Sequence, residues 1–365
     1  MDKVIITILD GVGPTSMPYN EFVLWRANHC HNERQILIVI GAKNSISSSG
    51  FSGNIELIQL GWNPFIIRKK LKGLLNELKR KNVEFAIHLH QLKSATITQL
   101  SMLGTEFKEK TIFTVHSTFT GYAIHNKIQS YFNGLMAKYV ACVSNASYTQ
   151  YPASLKKIKG DRVMFIRNGV DIDRIAQVTE GLTKKENNNV VFVYVARLIP
   201  LKNHSFLVEA VKNTDLRARF VFIGKDNDSG LDLIIKNAGL EDRITLTGLI
   251  PREEVFSLIY NSDVYLSSST LEGMPISVLE AMCCGLPAIL SNIPQHKEIG
   301  GSEDFVTYLP FEKELWINEI NRYVQMSNNE RIERGEKGKK YIEEHFSLQT
   351  MHQQYSIFYQ KLQLC

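Results

Sequence analysis

The sequence lacks the features of membrane-spanning, disulfide-bonded and repetitive proteins. No apolar run approaches the roughly 20 residues that a helix needs to cross a bilayer, and there is no internal repeat or long low-complexity tract. The five cysteines are odd in number and have no metal-ligand spacing, and the adjacent Cys283 and Cys284 cannot easily bond to each other. The first residues contain no small-residue cleavage site. These absences predict a cytoplasmic protein.

The composition and the order of elements predict a two-domain α/β protein instead. The chain has 365 residues, more than one hydrophobic core usually supports. Hydrophobic residues make up 44% and charged residues 22%, as in globular proteins, and the net charge of +5 is modest. Apolar runs of strand length alternate with helical patterns, which indicates parallel sheets that bind ligands at the carboxyl ends of their strands. After Pro294 the pattern is mainly helical.

The segment Ser267–Asn292 carries the most specific pattern in the chain. It follows an apolar strand and reads as a loop, a helix that begins near Pro275 and ends at Gly285, and a second buried strand. Glu272 lies in the loop, and Glu280 lies in the second turn of the helix. An acid therefore stands on each side of a helix N-terminus.

This arrangement suits a ligand in which hydroxyl groups alternate with phosphates. The amides of Ile276, Ser277 and Val278 are expected to be free at the helix N-terminus, where the helix dipole favours an anion. The two carboxylates could bind hydroxyls on either side, as in a nucleotide sugar. The alternative is an ordinary strand–helix unit with one solvated glutamate and one capping glutamate.

The same stretch resembles the E-x7-E signature of family 4 retaining glycosyltransferases, from Glu272 through Glu280 to Gly285-Leu286-Pro287. The resemblance implies the GT-B fold, in which two doubly wound Rossmann-like domains face each other across a cleft. It also implies that Glu272 contacts hydroxyls of the donor sugar and that Glu280 binds the ribose. The backbone between them would hold the donor diphosphate, through Gly273, Met274, Pro275, Ile276 and Ser277.

A second segment carries two cations. Arg197 and Lys202 follow the apolar strand Val190–Val195 in a stretch that resembles the family's G-R-L-x-x-x-K-N segment, with Ala196 in place of the usual glycine. A guanidinium and an ammonium together could neutralise a departing diphosphate. The alternative is a pair of surface cations on a loop. The resemblance further implies that the backbone near Gly224 and Leu249 borders the nucleotide base.

The first half of the chain contains two weaker candidates. Asp10–Pro14 follows a strand but lacks the third glycine of a dinucleotide fingerprint, so a tight turn competes with a phosphate loop. His116 closes another apolar strand, and taken alone it reads more readily as a structural histidine. The resemblance implies that Gly13 faces the donor diphosphate and the acceptor and that His116 faces the donor sugar.

The segment 64–81 predicts an amphipathic helix with a strongly basic face. Its leucines and isoleucines recur at helical spacing, and its other face carries seven lysines and arginines against one glutamate. The basic face could rest on anionic lipid, or it could simply be solvated. Nucleic acid is not expected, because aromatic side chains are sparse among these charges.

These features together predict a retaining glycosyltransferase. By resemblance, residues 1–172 form the acceptor-side domain, residues 173–346 bind the nucleotide sugar, and the final helix, 347–365, packs back on the first domain. The donor is a UDP-sugar in the favoured case and a GDP-sugar in the other, and no metal or other cofactor is expected. The acceptor is a saccharide or a lipid-linked oligosaccharide of bacterial surface-polysaccharide assembly, such as lipopolysaccharide O-antigen, at the cytoplasmic face of the inner membrane.

Two other classes compete with this prediction. One is a GT-B binding or scaffold protein without activity. This alternative is disfavoured because all five candidate polar residues are present together: His116, Arg197, Lys202, Glu272 and Glu280. The other is an NAD-dependent oxidoreductase, which shares doubly wound halves but would need the missing fingerprint.

Overall fold

The computed structural model describes residues 3–12, 18–41, 55–184, 188–300 and 304–363. The chain divides into two compact units. Unit 1 consists of Met1–Gly169 and Leu348–Cys365, and unit 2 consists of Val170–Ser347. None of the helices in the described ranges is long and apolar enough to cross a bilayer.

Unit 1 is built on a parallel sheet. Its strands are β1 (Lys3–Leu9), β2 (Glu33–Val39), β3 (Ile55–Gln59), β4 (Glu84–Leu89), β5 (Thr111–Val115), β6 (Tyr139–Cys142) and β7 (Val163–Phe165), and they lie in the order β3-β2-β1-β4-β5-β6-β7. Its first helices are α1 (Pro18–His29), α2 (Pro64–Arg80), α3 (Leu92–Ser101), α4 (Ile124–Met136), α5 (Asn145–Gln150) and α6 (Ala153–Lys159). The central strands are apolar on both faces because helices cover both.

Unit 2 repeats this plan with a second parallel sheet. Its strands are β8 (Val190–Val195), β9 (Ala218–Ile223), β10 (Ile244–Gly248), β11 (Val264–Ser267), β12 (Ala288–Ser291) and β13 (Val306–Leu309), in the order β10-β9-β8-β11-β12-β13. Its helices are α7 (Ile172–Thr179), α8 (His204–Val211), α9 (Leu231–Asn237), α10 (Arg252–Tyr260), α11 (Ile276–Cys283), α12 (Pro294–Lys297), α13 (Lys313–Gln325) and α14 (Asn328–His345).

The last helix, α15 (Leu348–Gln363), belongs to the core of unit 1. Its buried residues Tyr355, Phe358 and Tyr359 pack in one cluster with residues of β1, β4 and β5. The Tyr359 hydroxyl lies 2.8 Å from Nδ1 of His88 on β4, and the buried guanidinium of Arg26 on α1 lies over the Tyr359 ring. Helices α1 and α15 therefore cover one face of the sheet, and α2 packs on the other.

In each sheet the strand order reverses direction at one point. The reversal lies between β1 and β4 in unit 1 and between β8 and β11 in unit 2. Loops diverge at such a point and leave a crevice at the carboxyl ends of the strands, where open α/β sheets bind ligands. The predicted residues His116, Arg197 and Glu272 all follow strands that lie at or next to these two reversals.

Candidate active site

The reversal point of unit 2 holds a buried ion pair. The ammonium of Lys202, in the loop after β8, bonds to a carboxylate oxygen of Glu272, in the loop after β11. Only 18% of the lysine side chain and 11% of the glutamate side chain are exposed. The Thr270 amide donates to the Leu201 carbonyl at 2.8 Å and ties the two loops together. The sequence predicted both residues for the site, and the structure brings them into contact.

Hydroxyl groups of the sheet hold the loop that carries Lys202. The Tyr194 hydroxyl, buried at the centre of the sheet, donates to the Lys202 carbonyl at 2.9 Å. The Ser268 hydroxyl lies 3.0 Å from the carbonyls of both Lys202 and Asn203. Asn203 adopts a left-handed conformation (φ 53°), which turns the chain into α8. The serines before Glu272 thus hold the loop that presents Lys202.

The electrostatics keep Glu272 ionised. Burial raises the pKa of this carboxyl, but the neighbouring groups, Lys202 first among them, together outweigh burial, and the net pKa lies below the usual value. His296 is fully buried nearby, and burial lowers its pKa to about 4. Its Nε2 lies 3.3 Å from the Ser267 hydroxyl. At neutral pH the local charges are therefore one anion and one cation, beside a neutral imidazole.

Arg197 lies in the same loop as Lys202, five residues earlier, and its side chain is exposed. No carboxylate of a described residue forms a salt bridge with it. Its guanidinium is therefore available to an anionic ligand, whereas the ammonium of Lys202 is already shared with Glu272.

The N-terminus of α11 differs from the expectation of three free amides. Pro275 precedes the helix instead of starting it, and with φ −81° and ψ 85° it forms a tight turn. As a result the Ile276 amide donates to the Met274 carbonyl at 3.0 Å, and the Val278 amide donates to the Pro275 carbonyl at 3.1 Å. Within the described chain only the Ser277 amide of the three makes no hydrogen bond. The expectation was wrong for the other two. Met274 is buried beside this turn, and Gly273 is half-buried.

Glu280 has a partner that the sequence reasoning missed. Its carboxylate is almost fully buried and accepts two hydrogen bonds from the guanidinium of Arg252, the first residue of α10, one of them at 3.0 Å. The guanidinium also lies 4.4 Å from the centre of the Phe256 ring. The paired guanidinium fixes the position of the Glu280 carboxylate. Because this pairing depends on α10 packing beside α11, no local sequence pattern predicts it.

Gly224 and Leu249 follow the neighbouring strands β9 and β10. A Cβ atom on Gly224 would lie 2.0 Å from the Ala196 carbonyl oxygen, so glycine is required for the loops after β8 and β9 to approach each other. The Gly224 amide donates to the Gly248 carbonyl at 3.1 Å, and 52% of Leu249 is exposed. Packing alone explains Gly224.

In unit 1, His116 lines a cavity of about 540 Å³ at the carboxyl ends of β1, β4 and β5. Its Nε2 lies 3.0 Å from Nδ1 of His90, which closes β4. The ring of Tyr19 lies 5.0 Å from both imidazoles. His90 was not predicted, although it ends a strand as His116 does, and strand neighbours in a parallel sheet end at the same edge.

The imidazoles of this cavity are neutral at ordinary pH. Burial lowers the pKa of His116 to about 4 and that of His90 well below its usual range. Burial does the same for His88, which is bonded at Nε2 to Thr114 at 2.7 Å. The cavity floor therefore offers uncharged hydrogen-bonding groups.

The two remaining predictions lie in unit 1. Gly13 falls outside the described residues. Helix α2 buries Ile67, Leu71, Leu75 and Leu78 and exposes all of its lysines and arginines. Lys79 and Lys81 pair with Glu106 and Glu77. Within the described ranges no group of three or more histidine, cysteine or acidic side chains is placed to hold a metal ion.

Comparison with known proteins confirms the fold. Over 99% of this chain and 100% of the other, the fold matches the crystal structure of Anabaena Alr3699/HepE in complex with UDP, with a TM-score of 0.74 and 17% identity. Two parallel-sheet Rossmann-like units of this kind define the GT-B fold, which confirms the predicted fold class. Residues 179–341 match the family model described as glycosyl transferases group 1.

Curated relatives of this chain are named as glycosyltransferases. The chain is 23% identical over 290 residues to one component of the phosphatidylinositol N-acetylglucosaminyltransferase of Arabidopsis thaliana, which covers 73% of this chain and 64% of the relative. It is 34% identical over 146 residues to the UDP-Gal:alpha-D-GlcNAc-diphosphoundecaprenol alpha-1,3-galactosyltransferase of Escherichia coli, which covers 36% of this chain and 37% of the relative. The chain thus spans less than two thirds of the length of either relative.

Proposed function

We propose that this protein is a retaining glycosyltransferase that moves a sugar from a nucleotide diphosphate sugar to a hydroxyl of an acceptor. The observation that carries the proposal is the buried pair of Lys202 and Glu272 at the reversal point of unit 2, with the exposed Arg197 in the same loop. Two cations and one carboxylate at such a crevice suit a ligand with a diphosphate and sugar hydroxyls.

In the proposed reaction the bond between the anomeric carbon and the diphosphate oxygen breaks, and negative charge develops on the departing diphosphate. Arg197, Lys202 and the free Ser277 amide stabilise that charge. Glu272 accepts hydrogen bonds from hydroxyls of the sugar. The acceptor oxygen attacks from the face that the diphosphate leaves, and its proton passes to a diphosphate oxygen. These groups neutralise the leaving group without a metal ion.

A UDP-sugar is the favoured donor, and a GDP-sugar is the second candidate. The Escherichia coli relative is named for a UDP-galactose donor, and the Anabaena structure contains UDP. Glu280 would bind the ribose, which both nucleotides share. His116 in unit 1 would contact the donor sugar.

The proposed acceptor is a saccharide or a lipid-linked oligosaccharide, and α2 would rest on anionic lipid at the cytoplasmic face of the membrane. The first turns of α2 expose Phe65 (82%) and Ile66 (44%) beside the lysines at 69, 70 and 72. An exposed aromatic ring next to unpaired cations is typical of surfaces that bind acidic membranes.

Thermal unfolding with UDP, GDP and NAD, each with and without Mg²⁺, tests the donor proposal. A ligand at 100 times its dissociation constant adds about 2.7 kcal/mol to the free energy of unfolding. We expect UDP to raise Tm regardless of Mg²⁺ and the Arg197→Ala, Lys202→Ala double variant to lose the effect. The control is the Lys236→Ala, Lys340→Ala double variant, which removes the same charge elsewhere in unit 2 and should keep the rise in Tm with UDP.

The same panel separates the competing classes. A rise in Tm with NAD alone would favour the oxidoreductase and contradict the transferase. Nucleotide binding without transfer to any acceptor, or the absence of any shift, would favour the scaffold. In a transferring preparation, NMR of the first product reports the anomeric configuration, and an inverted product would contradict retention.

A further inference from the structure

In unit 2 the two side chains that are proposed for different parts of the donor bind each other. The ammonium of Lys202, proposed for the diphosphate, bonds to the carboxylate of Glu272, proposed for the sugar hydroxyls. Both side chains are largely buried. An ammonium has three N–H donors but only one charge. Glu272 and the donor diphosphate therefore compete for a single positive charge.

The backbone of both loops is held, so the competition is confined to side chains. The Lys202 carbonyl accepts hydrogen bonds from the hydroxyls of Tyr194 and Ser268, at 2.9 and 3.0 Å. The Leu201 carbonyl accepts the Thr270 amide at 2.8 Å. Moving the two loops apart would break these bonds. The ammonium of Lys202 is thus kept within reach of both anions.

Within the described chain, the other groups near Glu272 are weaker partners than Lys202. The Ser269 hydroxyl forms a hydrogen bond with the carboxylate, and the imidazole of His296 is neutral because burial lowers its pKa to about 4. A buried carboxylate that loses its cation is strongly destabilised. Sugar hydroxyls could replace the cation, because they donate hydrogen bonds. A nucleoside diphosphate without a sugar brings only further negative charge.

Arg197 is not subject to this competition. Its side chain is exposed, and within the described ranges no salt bridge holds it. Any diphosphate can therefore bind at Arg197. Only a diphosphate that carries a sugar gains the charge of Lys202 without leaving Glu272 unpaired.

We infer that the ion pair of Lys202 and Glu272 makes the donor site select a nucleotide sugar over a nucleoside diphosphate that carries no sugar. The sugar hydroxyls bind Glu272 and release Lys202 for the diphosphate. A diphosphate without a sugar is disfavoured because it leaves a buried charge unpaired. Once the sugar has been transferred, Glu272 recovers the ammonium and the diphosphate is held less tightly. The inference rests on the proposed transferase function and adds a selectivity to the same site.

A double-mutant cycle on the affinity for UDP, measured by calorimetric titration, tests the inference. Glu272→Gln keeps the shape of the side chain and removes the charge that competes for Lys202. We expect it to bind UDP roughly tenfold more tightly than the wild type, the effect of gaining one charged hydrogen bond. In the Lys202→Ala background the same change should alter the affinity less than about twofold, because no ammonium is left to release.

Two further variants keep this cycle interpretable. Glu241→Gln removes one negative charge at an exposed position of unit 2 and should leave the affinity for UDP unchanged. Lys202→Gln replaces Lys202→Ala if the latter does not fold, because its amide can still donate to Glu272. If GDP rather than UDP raises Tm, the cycle is run with GDP.

The same titrations with UDP-glucose and UDP-galactose measure the selectivity itself. Glu272→Gln should not tighten binding of either sugar nucleotide, since the amide is a weaker acceptor for sugar hydroxyls than the carboxylate. The ratio of sugar-nucleotide affinity to UDP affinity should therefore fall by roughly tenfold in this variant. A general effect of removing one negative charge would instead raise both affinities together.

Three results would overturn the inference while leaving the transferase proposal intact. These are unchanged or weaker UDP binding in Glu272→Gln, a gain that persists without Lys202, and an equal gain for the sugar nucleotides. If neither UDP nor GDP binds the wild type, the transferase proposal fails, and the inference fails with it.

Discussion

The two units have the same architecture but differ in the charge of the side chains at their strand ends. Each places its polar residues where the strand order of a parallel sheet reverses. In unit 2 these residues are charged and paired, as Lys202 with Glu272 and Arg252 with Glu280. In unit 1 they are imidazoles that burial keeps neutral. The comparison teaches that the fold fixes where the candidate site lies, whereas the side chains at the strand ends decide whether that site is charged or neutral.

The largest effect is expected at Lys202. Lys202→Ala removes a cation from the developing diphosphate charge and should lower kcat by about 10²–10³. It also leaves Glu272 buried without its partner, at a cost of about 3 kcal/mol in the free energy of unfolding. Steady-state kinetics and urea unfolding measure the two effects separately.

A double variant sharpens this test. Lys202→Ala with Glu272→Gln removes both charges and should recover most of the lost stability while activity stays low. If activity recovers together with stability, the ion pair is only structural, and the catalytic role proposed for these two charges is wrong.

A smaller effect is expected at Arg252. Arg252→Leu removes the partner of the buried Glu280 and should weaken UDP binding roughly tenfold, since one charged hydrogen bond to the ribose loses its alignment. Calorimetric titration with UDP measures the change. Arg252→Lys keeps the charge without the bidentate geometry, and its affinity for UDP should lie between those of the wild type and Arg252→Leu. Wild-type affinity in Arg252→Leu would show that Glu280 needs no orienting partner.

The smallest effect is a pH dependence of stability that comes from the histidines. Because the folded-state pKa of His90 lies below the unfolded value, the unfolded chain binds more protons in acid, and stability falls as pH drops from about 6.5. Each such histidine contributes about 1.4 kcal/mol per pH unit below that value. His90→Phe should reduce the loss of unfolding free energy between pH 6.5 and 5, as measured by urea unfolding. His345→Phe, at an exposed histidine, should leave it unchanged, and an equal slope in His90→Phe would contradict neutral burial.

Central strands and the loop of Glu272 could be predicted from sequence because their signals are local. Lys3–Leu9 is apolar except for Lys3 and Thr7, Val190–Val195 is a continuous apolar run, and the structure has strands with the same bounds. The edge strands β3, β7 and β13 were missed, and the mainly helical pattern expected after Pro294 left no place for β13. Strands β3 and β13 are largely half-buried, so they lack an apolar run, and β7 has only three residues.

The predicted site was incomplete where it depended on distant contacts. Arg252 meets Glu280 across 28 positions of sequence, and only the packing of α10 against α11 brings them together. The amides of Ile276 and Val278 were expected to be free because proline normally starts a helix, whereas Pro275 forms a turn before it. His90 had a usable signal, since it ends a strand beside the one that His116 ends.

The position of α15 has a consequence for synthesis on the ribosome. Because α15 supplies Tyr355, Phe358 and Tyr359 to the first sheet, the part of that face which α1 does not cover stays exposed until α15 has been translated. Domains generally fold in order as they emerge, but here the segment 170–347 can complete its own core first. The half of the protein that is made first is therefore the half that finishes folding last.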